Sequence, residues 1–172
     1  MTDQLIANHA ANAVSIYERQ RAFECAALTS FYEGSLNALF CVVSSMSPAD
    51  LERRALEATA QRGGFAPQQM IWVATNVASE GVSESSNAML DPADLMQLIE
   101  AVDPLCLVVL DQRAVELLSR AYNQPVKLEA CDSILGRPCC AFVDFARMLQ
   151  TDERKQRAWA LFKELLTRVN DL

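Results

Sequence analysis

The chain has 172 residues, 51% of them apolar, and a formal net charge of −7. That length and content suit one folded domain over residues 1–172 and exclude an intrinsically disordered chain. The acidic balance argues against non-specific attraction to nucleic acid, which needs clustered Lys and Arg, so weak or no nucleic-acid binding is expected.

No apolar run reaches the roughly 18 residues that cross a bilayer, so no membrane partner is expected. The opening "MTDQLIANHAANAV" carries Asp3 and no basic stretch, so it does not read as a secretory signal, and a cytoplasmic location is expected. Leu5, Ile6, His9, Ala13, Ile16, Gln20, Phe23 and Ala27 then recur at spacings of three and four, with no Pro or Gly before Gly34. This predicts an N-terminal helical region over about 3–34, as one long helix or two short ones. Its stripe is expected to pack on the domain's own sheet rather than to form a dimerising coiled coil.

The run 38–43, "ALFCVV", is apolar without alternation, as in a strand buried on both faces of a parallel sheet. Ser47-Pro48 opens a helix, with Ser47 as cap, Pro48 at the first helical position and Asp50 at the positive end. That helix carries Leu51, Ala55, Leu56 and Thr59 and stops at Gly63-Gly64. A second strand, 70–75 "MIWVAT", ends at Asn76. Residues 77–90 are Ser-rich and read as a loop. Asp91-Pro92 starts a helix with Leu95, Leu98, Ile99 and Val102 on one face. A third strand covers 105–110, followed by a helix using Ala114, Leu117, Leu118 and Ala121. A fourth, 139–143, follows Gly136-Arg137-Pro138. A last helix bears Leu161, Phe162, Leu165, Leu166 and Val169, with Trp159 beside that stripe and partly buried.

Strand–helix alternation with right-handed crossovers predicts a three-layer α/β/α domain with a mainly parallel four-stranded sheet, order 2-1-3-4. The runs 39–43, 71–74 and 107–109 are expected to be buried, with Val108 central. Ligands of such folds sit beyond the C-terminal strand ends. Here those ends carry Ser44 to Ser47, Asn76, Asp111 and Asp144.

Six cysteines stand at 25, 41, 106, 131, 139 and 140, with no Cys-x-x-Cys spacing, and the sole histidine is His9. They read as buried reduced thiols; no metal site and no cofactor are expected. On a strand, Cys139 and Cys140 point to opposite faces. His9 alone cannot build a nucleophile–His–acid set. Asp111 and Asp144 read either as a carboxylate pair or cation site, or as turn acids in water. Asn76 reads either as a strand-end cap or as a ligand contact. The late basic residues Arg147, Arg154, Lys155, Arg157, Lys163 and Arg168 are offset by Asp152, Glu153 and Glu164, as on a solvated helix face.

Three stretches resemble the uracil-DNA glycosylase superfamily. "MIWVATNV" resembles a family strand ending in Thr-Asn, "VDPLCLVVLDQRAVELL" resembles its later strand–helix signature, and "MLQTDERKQRAWALFKEL", with Lys155 and Trp159, resembles the tail of its His-Pro-Ser motif. The resemblance covers about 36–166. It implies that Asn76 contacts a nucleobase-like ring, with Ser44 and Ser45 in the loop beside it. It also implies what is missing. The His-Pro-Ser positions hold Asp144-Phe145-Ala146. The loop that carries the family's acid reads Ser44-Ser45-Met46-Ser47-Pro48. The segment between the first and second strands is short and lacks the stretch that bears the family's base-stacking aromatic. The resemblance thus implies a catalytically degenerate domain acting as a binding or scaffold protein, for a protein partner or a small nucleobase-like ligand. The alternative is a divergent enzyme acting on nucleobases or nucleotides, with Asn76 for recognition and Asp111 or Asp144 as the acid.

Overall fold

The long apolar runs pair with one another at the centre of a sheet. The computed structural model of the chain describes residues 16–78 and 87–171. The elements, in chain order, are a helix α1 over 16–24, a 3-10 turn Ala26–Phe31, β1 Tyr32–Gly34, β2 Phe40–Ser44, α2 Asp50–Arg62, β3 Met70–Ala74, β4 Asn76–Ala78, β5 Asn87–Met89 and α3 Pro92–Val102. β6 Cys106–Val109, α4 Gln112–Ala121, β7 Ala130–Ile134, β8 Arg137–Ala141, α5 Phe145–Met148 and α6 Asp152–Asn170 complete it.

The main sheet has the order β1-β3-β2-β6-β8-β7. Its four central strands are mutually parallel, and they are the four runs expected, in the relative order 2-1-3-4. The sheet itself is six-stranded and mixed, which corrects the expectation of a four-stranded, mainly parallel one. β1 joins β3 and β7 joins β8, both antiparallel. An edge strand has one neighbour and is only half covered, so it needs no continuous apolar run. β1 has three residues, and β7, "ACDSI", mixes polar with small apolar residues and is half-buried but for Ile134. Neither carries the signal that marks the central strands.

Successive side chains of the central strands alternate between two cores, as the pleat requires. Cys41, Val43, Ile71, Val73, Leu107 and Val109 meet α3 and α4 on one face. Phe40, Val42, Met70, Trp72, Cys106 and Val108 meet α2, α5 and α6 on the other. Helices therefore cover both faces in three layers. Val108 is fully buried, while Leu39 is only partly so. Cys139 and Cys140 do fall in opposite cores. Trp159 is partly buried, with the Arg62 guanidinium 4.7 Å and the Lys163 ammonium 5.6 Å from its ring centroid.

Three local expectations are corrected. Within α1 the apolar stripe is exposed rather than packed on the sheet, with Ile16 61% and Phe23 83% accessible. Leu28 and Phe31 of the 3-10 turn fill the core instead. Helical periodicity marks a face but does not say what covers it. The part of that stripe before residue 16, His9 included, lies outside the described residues. α2 starts at Asp50 behind Ala49, not behind Ser47, because the Glu52 carboxylate reaches back to accept the Ala49 N–H at 2.9 Å. The Ser-rich stretch is not wholly loop, since β4 and β5 pair antiparallel; residues 79–86 lie outside the described residues.

Candidate functional site

Three segments converge at the C-terminal end of β3. Beyond the strand, Thr75 N–H donates to the Ser44 carbonyl at 2.8 Å and Asn76 N–H to the Ser45 carbonyl at 3.0 Å. The β2–β3 register thus runs on for two residues before Asn76 turns into β4 opposite Met89. On the outer side, β1 sets Tyr32 against Val73 and Glu33 against Trp72. Gly34 permits this approach. Its φ is +115°, and a Cβ there would stand 2.5 Å from the Met70 carbonyl oxygen, closer than van der Waals contact allows.

Arg53 of α2 fastens the segments together. Its guanidinium donates to the Glu33 carboxylate at 2.7 Å and lies 4.9 Å from the Trp72 ring centroid, and its Nε donates to the Pro48 carbonyl at 3.3 Å. One side chain so joins β1, β3 and the β2–α2 loop through an ion pair, a cation–π contact and a backbone bond. The Arg53 hydrogen bond holds the Glu33 carboxyl below its ordinary pKa.

These residues line a cleft of about 390 Å³. Phe31, Tyr32 and Trp72 supply aromatic surface, Glu33 and Arg53 charge, and Asn76 an amide. Met46, Ser47 and Pro48 form the wall on the loop side. That size falls in the range of small-molecule clefts, roughly 300–1,000 Å³. Asn76 Oδ1 is buried and accepts no hydrogen bond among the described residues. An amide oxygen left this way costs about 1–3 kcal/mol, which a donor on a bound molecule would recover.

The other expected site residues lie elsewhere. Ser44 is buried, and its hydroxyl donates to the Val73 carbonyl at 3.5 Å, a long bond. Ser44, Ser45, Asp111 and Asp144 share a second, smaller cleft of about 180 Å³. Met46 to Pro48 line both clefts, so this loop stands between Asn76 and the two aspartates.

Asp111 and Asp144 meet through an isolated antiparallel bridge, each at the start of a helix. Asp111 caps α4, accepting the Ala114 N–H on Oδ1 at 3.0 Å and the Ser45 N–H on Oδ2 at 2.6 Å. Asp144 caps α5, accepting the Arg147 N–H at 3.0 Å. Both therefore act as N-caps, and both oxygens of Asp111 are committed to backbone donors. Among the described residues, no group of three or more His, Cys, Asp or Glu gathers to hold a metal ion.

Phe31, Tyr32, Glu33, Arg53 and Trp72 were not legible as site residues. Tyr32-Glu33-Gly34 is too short to mark a strand, Trp72 reads as core within its apolar run, and Arg53 stands on a polar helix face like its neighbours. No protein-family model and no curated protein matches the chain. No helix among the described residues is long and apolar enough to cross a membrane.

Proposed function

We propose that the chain is a uracil-DNA-glycosylase-like domain that has lost base excision and works by binding, its Asn76 cleft holding a small planar ligand of the nucleobase type. The observation that carries this reading is the buried Asn76 Oδ1, without a hydrogen-bond partner among the described residues, on a residue that lines an aromatic-walled cleft. A ring N–H would satisfy that oxygen, and aromatic surface stacks on a ring face. Net discrimination from such a bond is of the order of 1–3 kcal/mol, because a ligand lacking the donor leaves the oxygen unpaired.

The residues present argue against catalysis. Asp111 and Asp144, the acids that the enzymatic alternative would need, hold helix N-termini. Glu33 is the carboxylate in the Asn76 cleft, and its ion pair with Arg53 keeps it ionised, which suits neither a general acid nor a free base. The glycosylase histidine position holds Asp144. Loss of that donor and of the loop acid removes about 10²-fold or more for each group.

Titration of the purified chain with uracil, cytosine and adenine, followed by ligand-observed NMR, tests the binding. At least one base is expected to bind, and Asn76→Ala is expected to weaken it about tenfold, the equivalent of about 1.4 kcal/mol. Unchanged binding by Asn76→Ala, or no binding of any base at millimolar concentration, refutes the assignment of the cleft. Time-dependent abasic sites in uracil-containing DNA, formed by the wild type and not by Asn76→Ala, would refute the loss of chemistry.

A further inference from the structure

A pair of thiols at the far edge of the sheet takes no part in the Asn76 cleft. Cys131 on β7 stands directly opposite Cys140 on β8 in the antiparallel register. Side chains of directly opposed strand residues lie on the same face of the sheet, so the two thiols are neighbours. The register also fixes which kind of pair this is. Pro138 faces Ser133 and has no N–H, so that position is a non-hydrogen-bonded one. Antiparallel pairs alternate, so two steps along, Cys131 and Cys140 are again a non-hydrogen-bonded pair. In such pairs the Cα atoms approach to about 4.5 Å and the side chains are closest, inside the separation a disulfide spans.

The two sulfurs differ in setting. Cys140 is fully buried, and its pKa is pushed up by its contact with Cys131 and by burial. Cys131 is half-exposed on the outermost strand, donates to the Leu161 carbonyl on α6 at 3.0 Å, and is held below the ordinary thiol pKa by the Cys140 hydrogen bond. Leu161 in turn lines a cleft of about 220 Å³ that opens to solvent between Glu129 and α6. The other four cysteines are all buried, and Cys139, next in sequence, lies in the opposite core.

We propose that Cys131 and Cys140 are a thiol-oxidation site that closes to a reversible cross-strand disulfide. The oxidant is a low-molecular-weight disulfide of the glutathione type. The Cys131 thiolate attacks one oxidant sulfur, the oxidant S–S bond breaks, and one thiolate leaves with the electron pair. Cys140 then loses its proton and attacks Cys131 Sγ, and the second small thiolate departs. The two protein thiols are oxidised to one disulfide, the oxidant is reduced to two thiols, and the two protons end on them. Oxidation also removes the Cys131 hydrogen from the Leu161 carbonyl, so the contact between β7 and α6 changes with redox state.

The test is incubation of the whole folded chain with excess oxidised glutathione, alkylation of the remaining thiols in denaturant, and peptide mapping. Two of the six thiols are expected to escape alkylation, in one linked peptide pair containing Cys131 and Cys140, and dithiothreitol is expected to restore both. Cys140→Ala is expected to stop at a mixed disulfide on Cys131, and Cys131→Ala to stay unmodified. Six alkylated thiols, a link between any other two cysteines, or a lasting mixed disulfide on wild-type Cys131 would overturn the proposal. The wild-type map decides the question even if a variant folds poorly.

Discussion

Removal of the Asp111 side chain separates a structural carboxylate from a catalytic one. In Asp111→Ala two backbone donors lose their acceptor. Ala114 N–H opens α4, and loss of an N-cap costs about 1 kcal/mol. The Ser45 N–H, at 2.6 Å from the other oxygen, is half-buried at the end of β2, and its unmet bond costs about 1–3 kcal/mol more. The expected total is about 2–4 kcal/mol. Asp111→Asn keeps one acceptor but turns an NH₂ toward one of the two N–H groups, so it also loses about 1–3 kcal/mol. Asp144 accepts one backbone bond, and Asn caps as well as Asp, so Asp144→Asn is expected to change stability by less than about 0.5 kcal/mol. Urea unfolding of the four proteins, read as midpoint shifts at constant slope, measures these differences. A catalytic carboxylate held against its preference would give the opposite sign, because removing a strained functional group stabilises the fold. An Asp111→Ala variant as stable as the wild type, or more stable, would refute the cap assignment and return Asp111 to the list of candidate acids.

Val108→Ala empties a fully buried site on a central strand and is expected to cost about 2–3 kcal/mol in the same urea assay, against near zero for the exposed Gln150→Ala. Glu33 titrates below its ordinary range because Arg53 stabilises the carboxylate, so the contribution of the pair is present above the unfolded pKa and is lost as pH falls through the folded one. NMR titration of the Glu33 carboxyl should therefore give a higher pKa in Arg53→Gln; an unchanged value would mean the ion pair is not formed in solution. With a net charge of −7 and the basic residues of α6 on an exposed face, no submicromolar DNA binding is expected in about 0.15 M salt. Tight binding that is lost when Lys155 and Arg157 become Glu would show that face to be a phosphate track.

The central strands were legible because burial on both faces leaves a mark that nothing else does. Phe40 to Ser44 and Met70 to Ala74 are buried at every position, so the sequence there is apolar without alternation. The cap Asp91, followed by Pro92, announced its helix for the related reason that a helix start has unmet N–H groups, whereas Asp111, read as a turn acid or as one of a carboxylate pair, is seen to cap α4 only in the structure. What was not legible lies at the edges. β7 sets Ala130, Asp132 and Ile134 on one face and Cys131 and Ser133 on the other, with no apolar face to mark it, and its pairing with β8 depends on the turn at Leu135-Gly136, where both residues take positive φ. β1 depends on Gly34 approaching Met70, a contact between residues 36 positions apart. The cleft is built at that same edge, so the residues that line it carry no periodic signal either. Asn76 was the exception, visible because it follows an apolar run directly.

The position of the acids follows from the same architecture that opens the cleft. In a parallel sheet each strand hands the chain to a helix at its C-terminal end, and that helix presents unpaired N–H groups there. An aspartate at the end of β6 or after β8 therefore finds backbone donors within reach, and Asp111 and Asp144 take them. The end of β3 differs. There the chain passes into β4 rather than into a helix, so Asn76 meets Met89 of β5 across the strand pair. On the outer side β1 runs antiparallel, and only its three residues Tyr32, Glu33 and Gly34 pair with β3. The result is a sheet corner with aromatic walls and one amide oxygen lacking a donor among the described residues. The carboxylates at the strand ends are drawn into capping, whereas the Asn76 amide oxygen is buried with no donor among the described residues, and it is on this contrast that the proposed binding role rests.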